Sequence, residues 1–221
     1  MKVIITGSTG MVGKGVLLEC LDNDKISDVL LVNRSPVDIN HSKIREIIHD
    51  DFTDFSSIQS DFAGYNACFH CMGVSSAGMD EELYYTLTYT VTEALVNTVY
   101  NVSSALTFIY VSGEGTDSTE QSNTMWARVK GKTENMMFNK GFNYAYAFRP
   151  GVILPERGIK SKTKLYNLLY TLTRPLYPIM KKMKSVTTTQ NIGYSMIDLI
   201  EHPKNIKILT GSDINTIASK K

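Results

Sequence analysis

The chain has 221 residues, 43% of them hydrophobic and 20% charged, enough apolar material to bury the core of one globular domain. Twenty-three basic residues against 22 acidic ones leave a formal net charge of +1. That balance gives no electrostatic footprint for DNA or RNA and makes a small molecule the expected partner.

The first apolar run, "KVIITG" (2–7), already reads as a strand, so no leader to be removed is expected. "TGSTGMVGKG" (6–15) follows it directly and opens a helix expected over 12–22. Gly7, Gly10 and Gly13 stand three apart, where a tight turn must lead into a helix and let backbone amides approach a pyrophosphate without Cβ interference. A helix N-terminus adds partial positive charge there. Lys14 does not complete the GxxxxGK[ST] pattern, so this is not a P-loop.

Further strands are expected at "VLLVN" (29–33), "IREIIH" (44–49), "NACFHCMG" (66–73), "ALTFIYVS" (105–112) and "YAYAFRP" (144–150), with helices near 80–101 and 124–140. Near-continuous apolar strands separated by helices predict a parallel sheet covered on both faces, a doubly wound α/β fold. Cys68 and Cys71 form a CxxC inside a strand, where residues three apart point to opposite faces. They are expected as buried thiols, without a disulfide or thioredoxin-type activation. An odd total of three cysteines suits a reducing cytoplasm. His41, His49, His70 and His202 show no ligand spacing, and no metal is expected.

After Pro150 the rhythm changes. "KLYNLLYTLTRPLYPIMKKMK" (164–184) is an apolar helical stretch broken by Pro175 and Pro178. A membrane-surface helix fits the pattern, but the breaks favour a lid over a cofactor or an oligomer contact, such as a homodimer. The helix "TQNIGYSMIDLIEH" and the strand "KILTG" come next. This part is expected to form a small substrate-side cap, residues 151–190, within a single domain of 1–221. No apolar run reaches the roughly 18 to 20 residues of a membrane span.

The GxxGxxG turn, "DF" at Asp51 and Phe52 after the third strand, the serine ending "YVS", the lysine of "WARVK" and "RPG" at 149–151 together resemble the short-chain dehydrogenase/reductase superfamily. The resemblance is to its extended and atypical branch, the NAD-dependent epimerase/dehydratase-like proteins. It implies a Rossmann fold that binds NADP or NAD, with Gly7, Gly10, Met11 and Gly13 at the pyrophosphate and Asp51 and Phe52 facing the adenine. Where NAD-preferring members carry an acidic residue at the end of the second strand, this chain has Asn33 and Arg34. A guanidinium there pairs with a 2′-phosphate, which favours NADP(H); a solvated surface arginine is the alternative.

By the same resemblance, Lys130 holds the nicotinamide ribose and Ser112 binds a substrate oxygen. A tyrosine belongs four residues before the lysine, and Trp126 stands there instead. Indole nitrogen does not release its proton near neutral pH, so the general acid of the family is missing. Lys130 also fits a solvated helix face beside Arg128 and Lys132, and Ser112 fits a satisfied hydroxyl at a strand end. Tyr84 and Tyr85 are possible phenols or helix packing; Glu114 and Asp117 contact substrate or cap a turn. An oxidoreductase or epimerase-like enzyme for a small carbonyl or hydroxyl compound is expected, with a dinucleotide-binding regulator or redox sensor as the alternative.

Overall fold

The computed structural model describes residues 1–160, 173–181 and 183–220. Seven parallel strands form its main sheet in the order β3-β2-β1-β4-β5-β6-β9. They are β1 (Lys2–Thr6), β2 (Asp28–Asn33), β3 (Ile44–Ile48), β4 (Ala67–His70), β5 (Thr107–Val111), β6 (Tyr144–Arg149) and β9 (Ile208–Thr210). All six expected strands appear. "NACFHCMG" is trimmed most, because Cys71 makes the last ladder bond from its N–H to the Thr6 carbonyl and the chain then turns.

Side chains alternate between the two faces, and each face buries its own core. On one face Val3, Ile5, Phe69, Ile109 and Phe148 pack with α1 (Met11–Asp22), and on the other Ile4, Cys68, Phe108 and Tyr110 pack with α3 (Val91–Val102). The long helix expected near 80–101 is observed as α2 (Glu81–Tyr85), a π turn (Thr86–Thr90) and α3, with Asp80 capping the start through the N–H of Leu83. Helix α4 (Met125–Phe138) follows β5. The chain leaves β1 through α1 and leaves β4 through α2 and α3, toward opposite faces. The adjacent C-terminal ends of β1 and β4 therefore flank a topological switch point, where such sheets bind ligands.

Beyond Pro150 the expectation needs revision. β7 (Val152–Leu154) and β8 (Val186–Thr188) form a separate two-stranded parallel sheet. The helix and strand expected with the cap instead join the main body. Helix α6 (Thr189–Glu201) places Ile192, Met196 and Leu199 in the α1-side core, β9 pairs with β6, and a further helix, α7 (Gly211–Ala218), follows through a Thr210–Asp213 capping box. The physical reason is the apolar stripe of α6, which had no core to meet in a detached cap. Of the stretch 164–184, residues 164–172 and 182 lie outside the described residues; a 3-10 turn (Arg174–Leu176) and α5 (Tyr177–Met180) occupy the remainder.

Helices α1 and α6 touch closely because Gly15 and Gly193 lack side chains. A Cβ on Gly15 would stand 2.5 Å from Cβ of Thr189, and one on Gly193 would stand 2.8 Å from the Glu19 side chain. Gly15→Val should lower the unfolding free energy by about 1–3 kcal/mol through overpacking. Urea unfolding of the variant beside the parent chain measures it, and equal midpoints would contradict this packing.

Candidate dinucleotide site at the sheet edge

The turn after β1 is closed by the Gly10 N–H donating to the Gly7 carbonyl at 2.9 Å. Gly7 adopts φ +74°, and a Cβ there would lie 2.7 Å from the Met72 amide nitrogen. A Cβ on Gly13 would overlap the Gly7 carbonyl. Both glycines are thus required by close backbone approach between the turn, the start of α1 and the end of β4. Gly10 is the N-cap of α1 and brings no side chain to its first turn, which also contains no acidic residue. Met11 opens the helix, and no N-cap side chain takes up the N–H groups of its first turn. That cradle fits a pyrophosphate.

At the end of β2, Asn33 is buried and engaged. Its amide exchanges hydrogen bonds with Ser8 Oγ at 2.7 and 3.0 Å and donates to Glu46 Oε1 at 2.8 Å. Glu46 also accepts from the Val37 N–H, which ties down the loop following β2. Arg34 is exposed and makes no ion pair with any described residue. Beyond β3, the Asp51 carboxylate is exposed and accepts from the amide and hydroxyl of Thr53, which hold its pKa below the usual range. The Phe52 ring is buried, edge-on to Phe55.

β5 carries the other half of the site. The Ser112 N–H donates to the Phe148 carbonyl, continuing the ladder by one residue, so Ser112 shares a face with Tyr110. Ser112 Oγ lies 3.0 Å from Thr116 Oγ1, and Thr116 donates its single hydroxyl proton to the Gly113 carbonyl. In that arrangement Ser112 is the donor to Thr116 and turns a lone pair outward. Trp126 is half-buried, with its ring against Gly115, which has φ +84°.

Lys130 is half-buried, donates to the Tyr110 hydroxyl at 3.3 Å, and its Nζ lies 5.3 Å from that ring's centre. Burial pulls its pKa down to about 8, against an opposing pull from Glu134 one turn along. Lys130 is therefore no member of a solvated stripe. Arg128 pairs instead with Glu81, and Lys132 lies over the stacked rings of Tyr85 and Tyr89.

Two features fix α4, and neither was apparent from spacing. Glu134 is fully buried and receives Arg149 through Nε at 3.0 Å and Nη2 at 2.5 Å, while Nη2 also donates to Ser118. Gly131 has no room for a Cβ, because the Asp117 carbonyl occupies that position. Asp117 caps its own loop by accepting from Thr119, Gln121 and Ser122, which presses its pKa to about 2. Glu114 lies against Gly151, where a Cβ would collide with its carboxylate.

His70, at the end of β4, is buried between Thr6 Oγ1 at 2.6 Å from Nδ1 and Thr92 Oγ1 at 3.1 Å from Nε2. Burial, with Lys130 nearby, lowers its pKa to about 3 and keeps it neutral. Cys68 and Cys71 pack toward opposite faces and are unpaired. Burial raises both thiol pKa values, although Cys71 sits just past the strand and is only half-buried. Tyr84 is buried and Tyr85 is stacked, both as packing residues. Among the described residues no cluster of His, Cys, Asp and Glu could hold a metal ion, and no helix is long and apolar enough to cross a membrane.

A family model described as the NAD dependent epimerase/dehydratase family matches residues 3–145. "Protein FMP52, mitochondrial" of Debaryomyces hansenii is 28% identical over 163 residues, covering 71% of this chain and 69% of that protein. The crystal structure of Gre2 from Candida albicans in complex with NADPH aligns with a TM-score of 0.72 at 13% identity, over 95% of this chain and 78% of that one. UDP-glucuronic acid 4-epimerase from Bacillus cereus, in complex with NAD, gives 0.69 at 15% identity over the same shares of the two chains.

Two measurements test the construction of this edge. Glu134→Ala leaves the Arg149 guanidinium without its buried partner and should cost about 3–5 kcal/mol in chemical unfolding. For His70 the folded pKa lies below the unfolded value near 6.5, so unfolding takes up a proton and stability from this group falls as pH drops from about 6.5 toward 3. The stability advantage of the parent chain over His70→Gln should therefore shrink between pH 7 and pH 5; a constant difference would mean that His70 has the same pKa in the folded and unfolded chain.

Proposed function

Because the chain belongs to the NAD dependent epimerase/dehydratase family, we propose that it binds NADP(H) and acts as an oxidoreductase or epimerase-like enzyme on a small carbonyl or hydroxyl compound. The observation that carries this reading is Lys130, drawn out of solvent and tied to the buried Tyr110 hydroxyl on the face of β5 that continues to Ser112. Binding a dinucleotide does not by itself require a lysine whose pKa is lowered by burial.

In this reading the backbone of Gly7, Gly10, Met11 and Gly13 holds the pyrophosphate. Arg34, which has no described acidic partner, takes the 2′-phosphate. Asp51 and the backbone of Phe52 receive the adenine, and Lys130 holds the nicotinamide ribose. A bound nicotinamide would supply the hydride for reduction of a carbonyl. Ser112 orients the substrate oxygen. With Trp126 unable to release a proton, the Lys130 ammonium, at about 8 far closer to neutrality than an ordinary lysine, provides the proton through a bound water. Three free cysteines fit a reducing compartment such as the cytoplasm.

Trp126 supports a second reading, a dinucleotide-binding regulator or redox sensor without turnover. Single-turnover assays with NADPH over a panel of carbonyl compounds separate the two: oxidation lost in Lys130→Ala supports the enzyme, and tight binding without oxidation supports the regulator.

NADPH should quench Trp126 fluorescence on binding. Arg34→Ala should weaken NADPH by about tenfold or more and leave NADH nearly unchanged, since it removes one charge-assisted phosphate contact. Absence of binding for both nucleotides by calorimetry would refute both readings.

A further inference from the structure

Among the described residues, the buried carboxylates Glu19 and Glu134 are each paired with an arginine. Glu46, which is half-buried, makes no ion pair with a described residue and accepts only from N–H groups. It lies in the middle of β3, on the face where Ile44 packs toward the α1-side core. Its Oε1 alone accepts from Asn33 Nδ2 at 2.8 Å and from the Val37 N–H at 3.1 Å.

Between those two donors stand Arg34, Ser35 and Pro36, all exposed. One oxygen of β3 therefore pins both ends of the segment that carries Arg34. Pro36 stiffens the segment through its fixed φ, and Val37 and Ile39 pack against the α1-side core just beyond it. Asn33 carries the same restraint to the glycine turn. One Nδ2 hydrogen goes to Glu46 and the other to Ser8 Oγ at 2.7 Å, and Ser8, which is fully buried, donates back to Asn33 Oδ1 at 3.0 Å. Both Nδ2 hydrogens of Asn33 are thus spent inside the protein.

We propose that Glu46 is a positioning residue for recognition of a 2′-phosphate. Through Asn33 and Val37 it holds the Arg34 segment in fixed relation to the cradle of Gly7, Gly10 and Gly13. A guanidinium and a helix N-terminus then meet the two anionic ends of one adenosine nucleotide without a loop having to order on binding. This inference rests on the NADP(H) reading above. The role of Glu46 is one of reach, not of charge. A carboxylate acting through its charge would oppose a phosphate, and one placed to receive a ribose hydroxyl would favour the nucleotide that lacks the phosphate.

Adenosine 2′,5′-bisphosphate and AMP differ only in the 2′-phosphate, so calorimetric titration of the full chain with each reads that group without nicotinamide or turnover. The parent chain should bind the bisphosphate about tenfold more tightly or better. Glu46→Asp keeps the charge but shortens the reach from β3, and should lower this preference to about twofold. Glu46→Gln keeps the length and an oxygen able to serve both donors, and its preference should stay within about threefold of the parent's. AMP affinity should remain within about twofold of the parent value in both variants. The positioning role is overturned if Glu46→Asp retains the parent preference, or if Glu46→Gln raises the preference or lowers it as far as Glu46→Asp does. Parallel loss of AMP and bisphosphate binding in Glu46→Asp also overturns it, because Glu46 would then be structural only. Equal binding of the two nucleotides by the parent chain overturns the NADP(H) reading and this inference with it; a parent preference that neither variant alters overturns this inference alone.

Discussion

The buried contact between Arg149 and Glu134 is the constraint on which the candidate site depends. Glu134 lies on α4, Arg149 ends β6, and the guanidinium also reaches Ser118 in the loop after β5. Three segments that carry no common sequence signal are thereby held in register. The contact's forked geometry matters more than its charge, because two parallel hydrogen bonds fix the rotation of α4 as well as its position. Lys130, one turn before Glu134, points toward β5 as a consequence. Gly131 then allows the loop of Asp117 to lie directly on the helix, and Ser112 enters that loop.

Around this anchor several groups at the sheet edge are kept neutral or drawn toward neutrality. His70 is kept uncharged between two threonines, the two nearby thiols stay protonated, and Lys130 is drawn toward neutrality by the same burial. Low polarity strengthens the electrostatic interactions that remain. Lys130 and the N-terminus of α1 both contribute positive charge on this side of the sheet. Both favour an anionic ligand, which is the electrostatic counterpart of the steric cradle formed by Gly7 and Gly13.

The charge distribution follows a different logic. The body that carries the site holds an excess of carboxylates, and the cations are concentrated in the segment after β7. A net value of +1 averages these two regions and hides both. Pro175 and Pro178, which argued from the sequence against a surface helix, sit at the start of two short turns on which Leu176 and Ile179 are exposed.

What the sequence determined by itself was local and periodic. The strands, the glycine turn, the alternation that sends Cys68 and Cys71 to opposite faces, and the family resemblance are all carried by residues a few positions apart, and the backbone's allowed geometry translates such spacing directly into structure. The substitution of Trp126 is legible in the same way. Only the tertiary structure decided the rest. It turned Lys130 onto Tyr110, twenty positions away, gave Asp117 to its own loop, and enclosed the Phe52 ring. It assigned Glu134 to Arg149 and moved α6 and β9 from an expected cap into the main body. Those outcomes depend on burial and on pairing across distant segments, and desolvation has no counterpart in a one-dimensional pattern until the fold has brought the groups together.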